Sequence, residues 1–405
     1  MYYTRIIFFK NAVETLTFFS RQLAYHLKEN GADVLFVDID HSLKNGESSL
    51  QIRDFALPEK TLVVTFNFIG LSGEEQFLGK DGGNVFDELS LPVFNIIVDH
   101  PLYYYSQLMT ASPKMHIFTV DREHLLFMKN YYPHLKNLHF MPLAGSFEDL
   151  YDTDNESADS FYSNIPFGDR PYNLVFPANY VSLDNINDRL SKAEPEYRDF
   201  YMAVTDDLLK NTDKPLDIAF KEAILREFPD ATIGDAISAM RGMLFIDLYI
   251  RSTFRNQIAS VILDSGIPVL FVGKDWEKID TKRPDLMTVT GQVNTVKCLS
   301  YMKQSKITLN IMPWFKDGAH DRIFSGMMCK SAVLTDLSPY LQEVLSPKDD
   351  LLTFSLDHID DIPKIIDNAL CKPEQLLRTA LHGYETAAGS HTWKNRADYL
   401  IKIMG

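Results

Sequence analysis

The chain has 405 residues, 45% hydrophobic and 23% charged, proportions of a folded globular protein that exclude a disordered one. The 40 basic and 55 acidic side chains leave a formal charge of −15, which excludes a general nucleic-acid or anionic-membrane binder, because binding phosphate by charge needs a basic face. Three cysteines are too few and too scattered for a disulfide framework or a thiolate metal site, so a reducing cytoplasm is the expected compartment. The apolar run at the N-terminus is too short for a signal peptide. No stretch reaches the roughly 20 apolar residues of a membrane helix, and a soluble protein is expected.

Residues 5–9 read as a strand and 13–30 as an amphipathic helix ended by Gly31, a natural residue just past a helix terminus. Strands are expected at 33–40, 62–68 and 93–99, then at 116–120 and 138–143 with a helix over 121–131 between them. Near-continuous apolar strands separated by helices imply a parallel sheet covered on both faces. From Glu148 to Asp159 there are six acids and no base, the texture of a solvated linker. A second α/β series begins at 173–179. It is interrupted by a long helical insert, about 187–263, with breaks near Pro215 and Pro229. Strands recur at 267–272, 286–290, 307–311, 331–335 and 351–354, and helices run from 359 to 404. The expected layout is an N-terminal Rossmann-like domain over 1–147, an acidic linker over 148–172, a C-terminal Rossmann-like domain over 173–390 that carries the insert, and a closing helix over 391–405.

In doubly wound sheets, ligands bind beyond the carboxyl ends of the strands, so residues just after strands carry the functional weight. The most informative segment is 305–336, SKITLNIMPWFKDGAHDRIFSGMMCKSAVLTD. A buried strand leads through a loop into a helix opened by His320-Asp321-Arg322. The free N–H groups and positive dipole end of such a helix suit a phosphate or pyrophosphate. Arg322 would add bidentate donors, and His320 a donor or a proton. The alternative is that Asp321 caps the helix and Arg322 makes a surface ion pair.

These residues resemble the C-terminal domain of the CgeB-like (spore maturation protein) glycosyltransferases, which are similar to the wider GT-B class. The likeness rests on a strand followed by His320, Arg322 and Phe324, then Cys329 and Leu334-Thr335-Asp336. It extends to Gly273 and Trp276 after the strand VLFV, to Gly383-Tyr384, to His391-Thr392-Trp393 with Arg396, and to Asp99-His100-Pro101 in the N-terminal half. The resemblance implies a GT-B fold, in which two Rossmann-like doubly wound domains face each other across a cleft. The C-terminal domain would take a nucleotide-sugar as substrate, with a UDP-sugar the expected donor, and the N-terminal domain a glycan or protein acceptor. It implies no cofactor and no metal, since this class meets the leaving diphosphate with oriented donors; Arg322, His320 and Lys274 are the candidates here. Gly273, Gln292, Asn294, Asn310 and Ser325 are the expected nucleotide-side residues. Asn294 could equally cap a helix, and Asn310 could satisfy a loop. Ser325 stands where many retaining members carry the Glu that holds ribose.

An inverting transfer needs a base for the acceptor hydroxyl, and Asp99 and His100, at the end of a strand, are the candidates. Pro101 fixes a sharp exit there, and Tyr103-Tyr104-Tyr105 could wall a sugar. The alternative is that Asp99 caps the helix near Pro101 and the tyrosines pack. Two other functions stay open at this level: a catalytically silent GT-B scaffold that binds a partner protein or glycan, or a sugar-nucleotide epimerase. The insert would then serve as a docking platform or a homodimer surface. Asp38-Ile39-Asp40 with His41 comes too early in the chain for the metal-binding Asp-x-Asp of the other large glycosyltransferase class. Gly79-Lys80-Asp81-Gly82-Gly83 lacks the spacing and the hydroxyl of a P-loop. Met240, Met243 and Phe245 read as core, and Cys329 as a buried small hydrophobe.

Overall fold

The computed structural model describes residues 2–39, 47–79, 83–147, 165–192, 194–241 and 244–405. The acidic stretch from Glu148 to Asp159, Asp40, His41, the centre of the 79–83 loop, and Met243 lie outside the described residues. The chain packs as two compact units. The first holds residues 2–144 and His391–Gly405, and the second holds Gly145–Phe147 and residues 165–390.

The first unit is built on six parallel strands: β1 (Arg5–Lys10), β2 (Asp33–Asp38), β3 (Thr61–Phe66), β4 (Val93–Ile97), β5 (His116–Thr119) and β6 (Asn137–Phe140), in the order β2-β1-β3-β4-β5-β6. Every residue of β3 and β4 is buried, as expected of central strands covered on both faces. Between the strands run α1 (Glu14–Glu29), α2 (Glu47–Phe55), α3 (Val85–Glu88), α4 (Tyr105–Thr110) and α5 (Arg122–Tyr131). Helix α1 buries Leu16, Phe18, Phe19, Leu23 and Leu27, and the chain leaves it through Gly31 at φ +88°. Asp121 caps α5 by accepting the Glu123 N–H at 2.7 Å. The last helix of the chain (Trp393–Ile403) closes this unit, although 248 residues separate it in sequence from Ala144. The Trp393 indole packs 4.9 Å from the Phe19 ring. Arg396 donates from Nε to Pro142 O at 2.6 Å and from Nη2 to Leu143 O at 3.0 Å.

The second unit has its own parallel sheet: β7 (Tyr172–Pro177), β8 (Val269–Val272), β9 (Met287–Val289), β10 (Ser305–Leu309), β11 (Ala332–Thr335) and β12 (Leu352–Thr353), in the order β12-β11-β10-β7-β8-β9. The chain runs outward from β7 through β8 to β9, then returns to lay β10 on the other side of β7. This is the Rossmann order, with its topological switch between β7 and β10. Among the described residues the insert consists of α6 (Leu183–Ser191), α7 (Pro195–Lys210), α8 (Leu216–Glu227), α9 (Ile233–Arg241) and α10 (Leu244–Asp264). Pro215 stands at the N-cap of α8, and Pro229 follows its C-cap, because neither can supply the N–H of a helix interior. Further on come α11 (Thr295–Lys303), α12 (Asp321–Met328), α13 (Pro339–Val344), α14 (Ile362–Leu370) and α15 (Pro373–Ser390). No described helix is long and apolar enough to cross a membrane.

The first unit holds several buried imidazoles in the neutral form. Burial pushes His124 down to about 3 and His391, beside Arg396, down to about 3. Burial and the neighbouring His116 push His139 down to about 4, with the two rings stacked at 5.2 Å. An unfolded chain protonates these rings near pH 6.5, so between pH 6.5 and about 4 it binds more protons than the folded one, and stability falls as pH falls. The thermal midpoint should therefore drop on acidification from pH 7.5 to 4.5. His139→Phe, which keeps the stack on Phe118 but removes one titration, should flatten that drop; equal slopes for the two proteins would refute it.

Candidate functional site

The β10–α12–β11 segment folds as its sequence suggests. His320 is the N-cap of α12, and its Nδ1 lies 3.2 Å from the Arg322 N–H and 2.8 Å from Asp321 Oδ1. The two neutral tautomers serve different partners. A proton on Nδ1 goes to Asp321 and leaves Nε2 to accept from Arg322 Nη2 at 3.5 Å; a proton on Nε2 leaves Nδ1 to cap the helix. Burial and the Arg322 charge favour the neutral ring, against the opposing pull of Asp321.

Arg322 is buried. Its Nη1 donates to Asn310 Oδ1 at 2.7 Å, and Asn310 in turn donates from Nδ2 to Thr335 Oγ1 at 2.9 Å. Asn310 follows β10 and Thr335 ends β11, so the guanidinium is fixed to the carboxyl edge of the sheet. Among the described residues it makes no surface ion pair. The loop after β10 is fixed as well: Met312 N donates to Asp336 Oδ1 at 2.9 Å, and Ser338 Oγ to Gly318 O at 2.6 Å. Burial raises the Asp336 carboxyl to about 6, against the hydrogen bond from Met312 that favours its charge. Lys316 donates to Pro313 O at 2.6 Å and to Thr212 O, tying this loop to the insert.

Two further cations come from α10, and sequence reasoning missed both. Arg255 is buried and donates from Nη1 to Asn179 O, just after β7, at 2.7 Å; its Nε has no hydrogen-bond partner among the described residues. Arg251 is paired to Asp247 at 2.5 Å. The Cζ atoms of Arg251 and Arg255 lie 4.9 and 5.5 Å from the centre of the Trp314 ring, whose other neighbours include His320 at 6.1 Å. Burial, with Arg322 and Arg251 close by, pushes Arg255 down to about 9 despite the opposing pull of Asp247. The available signal was the spacing: Asp247, Arg251 and Arg255 recur every four residues and so share one helix face, and two like charges at i and i+4 are unfavourable unless something answers them.

The structure thus gathers His320, Arg322 and Asn310 with Arg255 and Trp314 at the carboxyl ends of β7 and β10, the two strands that flank the topological switch. Arg322 is held by an amide and Arg255 by a peptide carbonyl. Both partners are neutral, so neither bond cancels the guanidinium charge. The site therefore carries positive charge inside a strongly acidic chain, a setting that favours an anion such as a phosphate group.

The remaining predicted residues are placed as follows. Lys274 is exposed after β8, with its backbone N–H bonded to Asn179 Oδ1 at 3.0 Å. Gly273 sits at φ +153°, where a Cβ would lie 2.0 Å from Ala178 O, so glycine is needed for the ends of β7 and β8 to approach. Gln292 is exposed beyond β9. Asn294 caps α11 by accepting the Lys297 N–H at 2.9 Å. Ser325 is buried in α12 and its Oγ accepts the Ser146 N–H at 3.2 Å, so its hydroxyl is taken up by the 145–147 segment. Cys329 is buried, and burial pushes its thiol up to about 12.

In the first unit Asp99 is half-buried beyond β4. Its Oδ2 accepts from Asn67 Nδ2 at 3.0 Å and from the Tyr104 hydroxyl at 3.1 Å. The helix-capping role falls to His100, whose Nδ1 accepts the Leu102 N–H at 3.2 Å while its ring packs on His124 and Phe127. Burial and the Asp99 charge raise the Tyr104 phenol, so it stays a donor to that carboxylate.

Comparison with known proteins agrees with this geometry. Residues 251–402, just over a third of the chain, match the family model described as glycosyl transferase-like; the match starts at Arg251 and spans α12. Sucrose-phosphate synthase from Thermosynechococcus elongatus is similar in structure, with 12% identity over 99% of this chain and 98% of that one and a TM-score of 0.56. Anabaena HepE in complex with UDP and glucose is similar at 7% identity over 99% of both chains, with a TM-score of 0.51. A glycosyltransferase from Rickettsia africae is similar at 8% identity over 99% and 97%, with a TM-score of 0.50. No curated protein matches in sequence. The two parallel sheets and the family match define the class: a GT-B glycosyltransferase fold with a glycosyl transferase-like C-terminal region.

Because a side chain at 273 would meet the Ala178 carbonyl, Gly273→Ala should destabilise the second unit by about 2 kcal/mol or more. That loss is read as a fall of several degrees in its thermal midpoint; an unchanged midpoint would show that the strand ends have room to part.

Proposed function

We propose that the protein transfers a sugar from a nucleotide-sugar to a hydroxyl acceptor, and that it is a CgeB-like member of the GT-B glycosyltransferases acting in the cytoplasm. The observation that carries this is the pair Arg322 and Arg255, anchored to the carboxyl ends of the strands on either side of the Rossmann switch, with charges their own anchors leave uncancelled. In a Rossmann unit that crevice is where a nucleotide's phosphates lie. The leaving diphosphate gains negative charge as the glycosidic bond breaks. Donors fixed in advance at that position stabilise the transition state without having to reorganise. Arg322 and Arg255 supply the charge, His320 caps α12 beside them, and the first-turn N–H groups of α12 supply neutral donors.

The second unit is therefore read as the donor side and the first as the acceptor side. There Asp99, oriented by Asn67 and Tyr104, is the base that takes the acceptor proton; the packing of His100 leaves that role to Asp99. UDP-sugars are the first donors to test, because HepE is described with UDP and glucose.

Calorimetry with UDP, GDP and dTDP tests the reading. Binding of at least one of them is expected, and a folded protein that binds none refutes it. Arg322→Ala and Arg255→Ala should each weaken that binding by about 10- to 100-fold, the loss of a charge-assisted hydrogen-bond pair. Arg255→Lys should recover only part of it, because an ammonium keeps the charge but not the fork. Asp99→Asn should leave nucleotide binding unchanged and lower transfer by about 100-fold or more; an Asp99→Asn enzyme with full transfer activity would remove Asp99 from the chemistry.

A further inference from the structure

The insert carries a second concave feature, formed wholly by α7, α8, α9 and the turn at 228–232. It has a volume of about 1130 Å³, above the ~300–1,000 Å³ of small-molecule pockets. Its lining is aromatic at Tyr197, Phe200, Tyr201 and Phe228, with the small residues Ala203, Ala223 and Ala239 between them. Tyr197 is 62% exposed and Phe228 is 66% exposed. Rings so uncovered, grouped around one hollow, mark a surface that binds something apolar. The polar lining is almost entirely of one sign: Glu196, Asp199, Glu227, Asp230 and Asp235 against Arg226. Asp235 is partly engaged, accepting from Thr232 N and Oγ1, and Asp199 lies 3.9 Å from Arg198 Nε, while Glu196, Glu227 and Asp230 stand exposed.

This lining selects among occupants. A neutral oligosaccharide presents hydroxyls that both donate and accept, so it needs donors from the protein. Here the tyrosine hydroxyls and Arg226 are the donors against five carboxylates, and no Asn, Gln, Ser or Thr lines the hollow. A second copy presenting the same face would bring carboxylates against carboxylates. What complements an apolar lining with acidic side chains is an amphipathic segment with lysines or arginines flanking apolar side chains, its ammonium or guanidinium groups reaching both the carboxylates and the ring faces.

We infer that the α7–α9 groove is a docking site for a basic amphipathic helix of a partner protein. The inference does not depend on sugar transfer and would stand on a catalytically silent chain. The test uses the full chain and a dye-labelled leucine–lysine amphipathic peptide about 18 residues long, followed by fluorescence anisotropy at low and high salt. The peptide should bind, and binding should weaken as salt rises. Phe228→Ser should weaken it by at least about tenfold, and so should the pair Glu227→Lys with Asp230→Lys. The pair Asp360→Lys with Asp361→Lys, on an exposed acidic surface away from the groove, should leave it unchanged. The charge pair alters only exposed side chains, so it decides the matter if Phe228→Ser does not fold.

Four results would overturn the inference. The peptide may fail to bind. The control pair may weaken binding as much as the groove pair. Chitotetraose or cellotetraose may bind in a way that Phe228→Ser abolishes, which would make the groove a glycan site. Sedimentation velocity may show a dimer that Phe228→Ser dissociates, which would make it a self-association surface.

Discussion

Everything proposed for the second unit depends on two buried guanidinium groups, Arg322 and Arg255, whose hydrogen-bond partners are neutral. Burying a charge is costly, and burying several of one sign near each other is more so; burial and the neighbouring Arg322 and Arg251 pull Arg255 down to about 9. The fold bears it by fixing Arg322 to an amide oxygen and Arg255 to a backbone oxygen at strand ends, by pairing Arg251 with Asp247, and by laying Trp314 against Arg251 and Arg255. On the proposed reading, an anion entering the crevice would relieve that crowding of like charge. Such a site discriminates by charge first and by shape second. That suits a donor whose phosphates are common to many nucleotide-sugars and whose base and sugar are recognised elsewhere.

The sequence made the framework legible because it is written in local patterns. The runs RIIFF, LVVTF, VLFV and SAVLT are buried strands of parallel sheets, and the breaks at Pro215 and Pro229 fall where helices stop or start. The helix opened by His320-Asp321-Arg322 was also readable, since a polar triplet between a buried strand and an amphipathic stretch has few other uses. The strands end earlier than their apolar runs do. The residues after each one, such as Asn67, Asn179 and Asn310, leave the ladder to hold side chains at the carboxyl edge.

What stayed hidden depends on the meeting of distant segments. Arg255 reaches Asn179 across 76 residues, and Arg251 meets Trp314 across the whole of β8, β9 and β10. No local window contains both partners. Ser325 was read for its place in a motif, yet its hydroxyl is committed to Ser146, a contact spanning 179 residues. The capping residue before Pro101 is His100, where capping by Asp99 was the alternative reading, because the carboxylate is drawn sideways to Asn67 and Tyr104. Ser325 and Asp99 were noticed and their partners were not, while Arg251 and Arg255 were not singled out at all, since tertiary packing chooses among several satisfactory partners.

The closing helix has a consequence for how the protein comes into being. Trp393 and Arg396 complete the core of the first unit, but the ribosome delivers them only after all of the second. At about 5–20 residues per second, the N-terminal sheet waits on the order of 10–50 s for its last helix, with the Phe19 surface uncovered meanwhile. The N-terminal unit is therefore finished last, the reverse of the usual order of synthesis. Severing the chain after Ala144 would leave the N-terminal piece without the helix that completes its core, and would leave that helix on the other piece with nothing of its own unit to pack on.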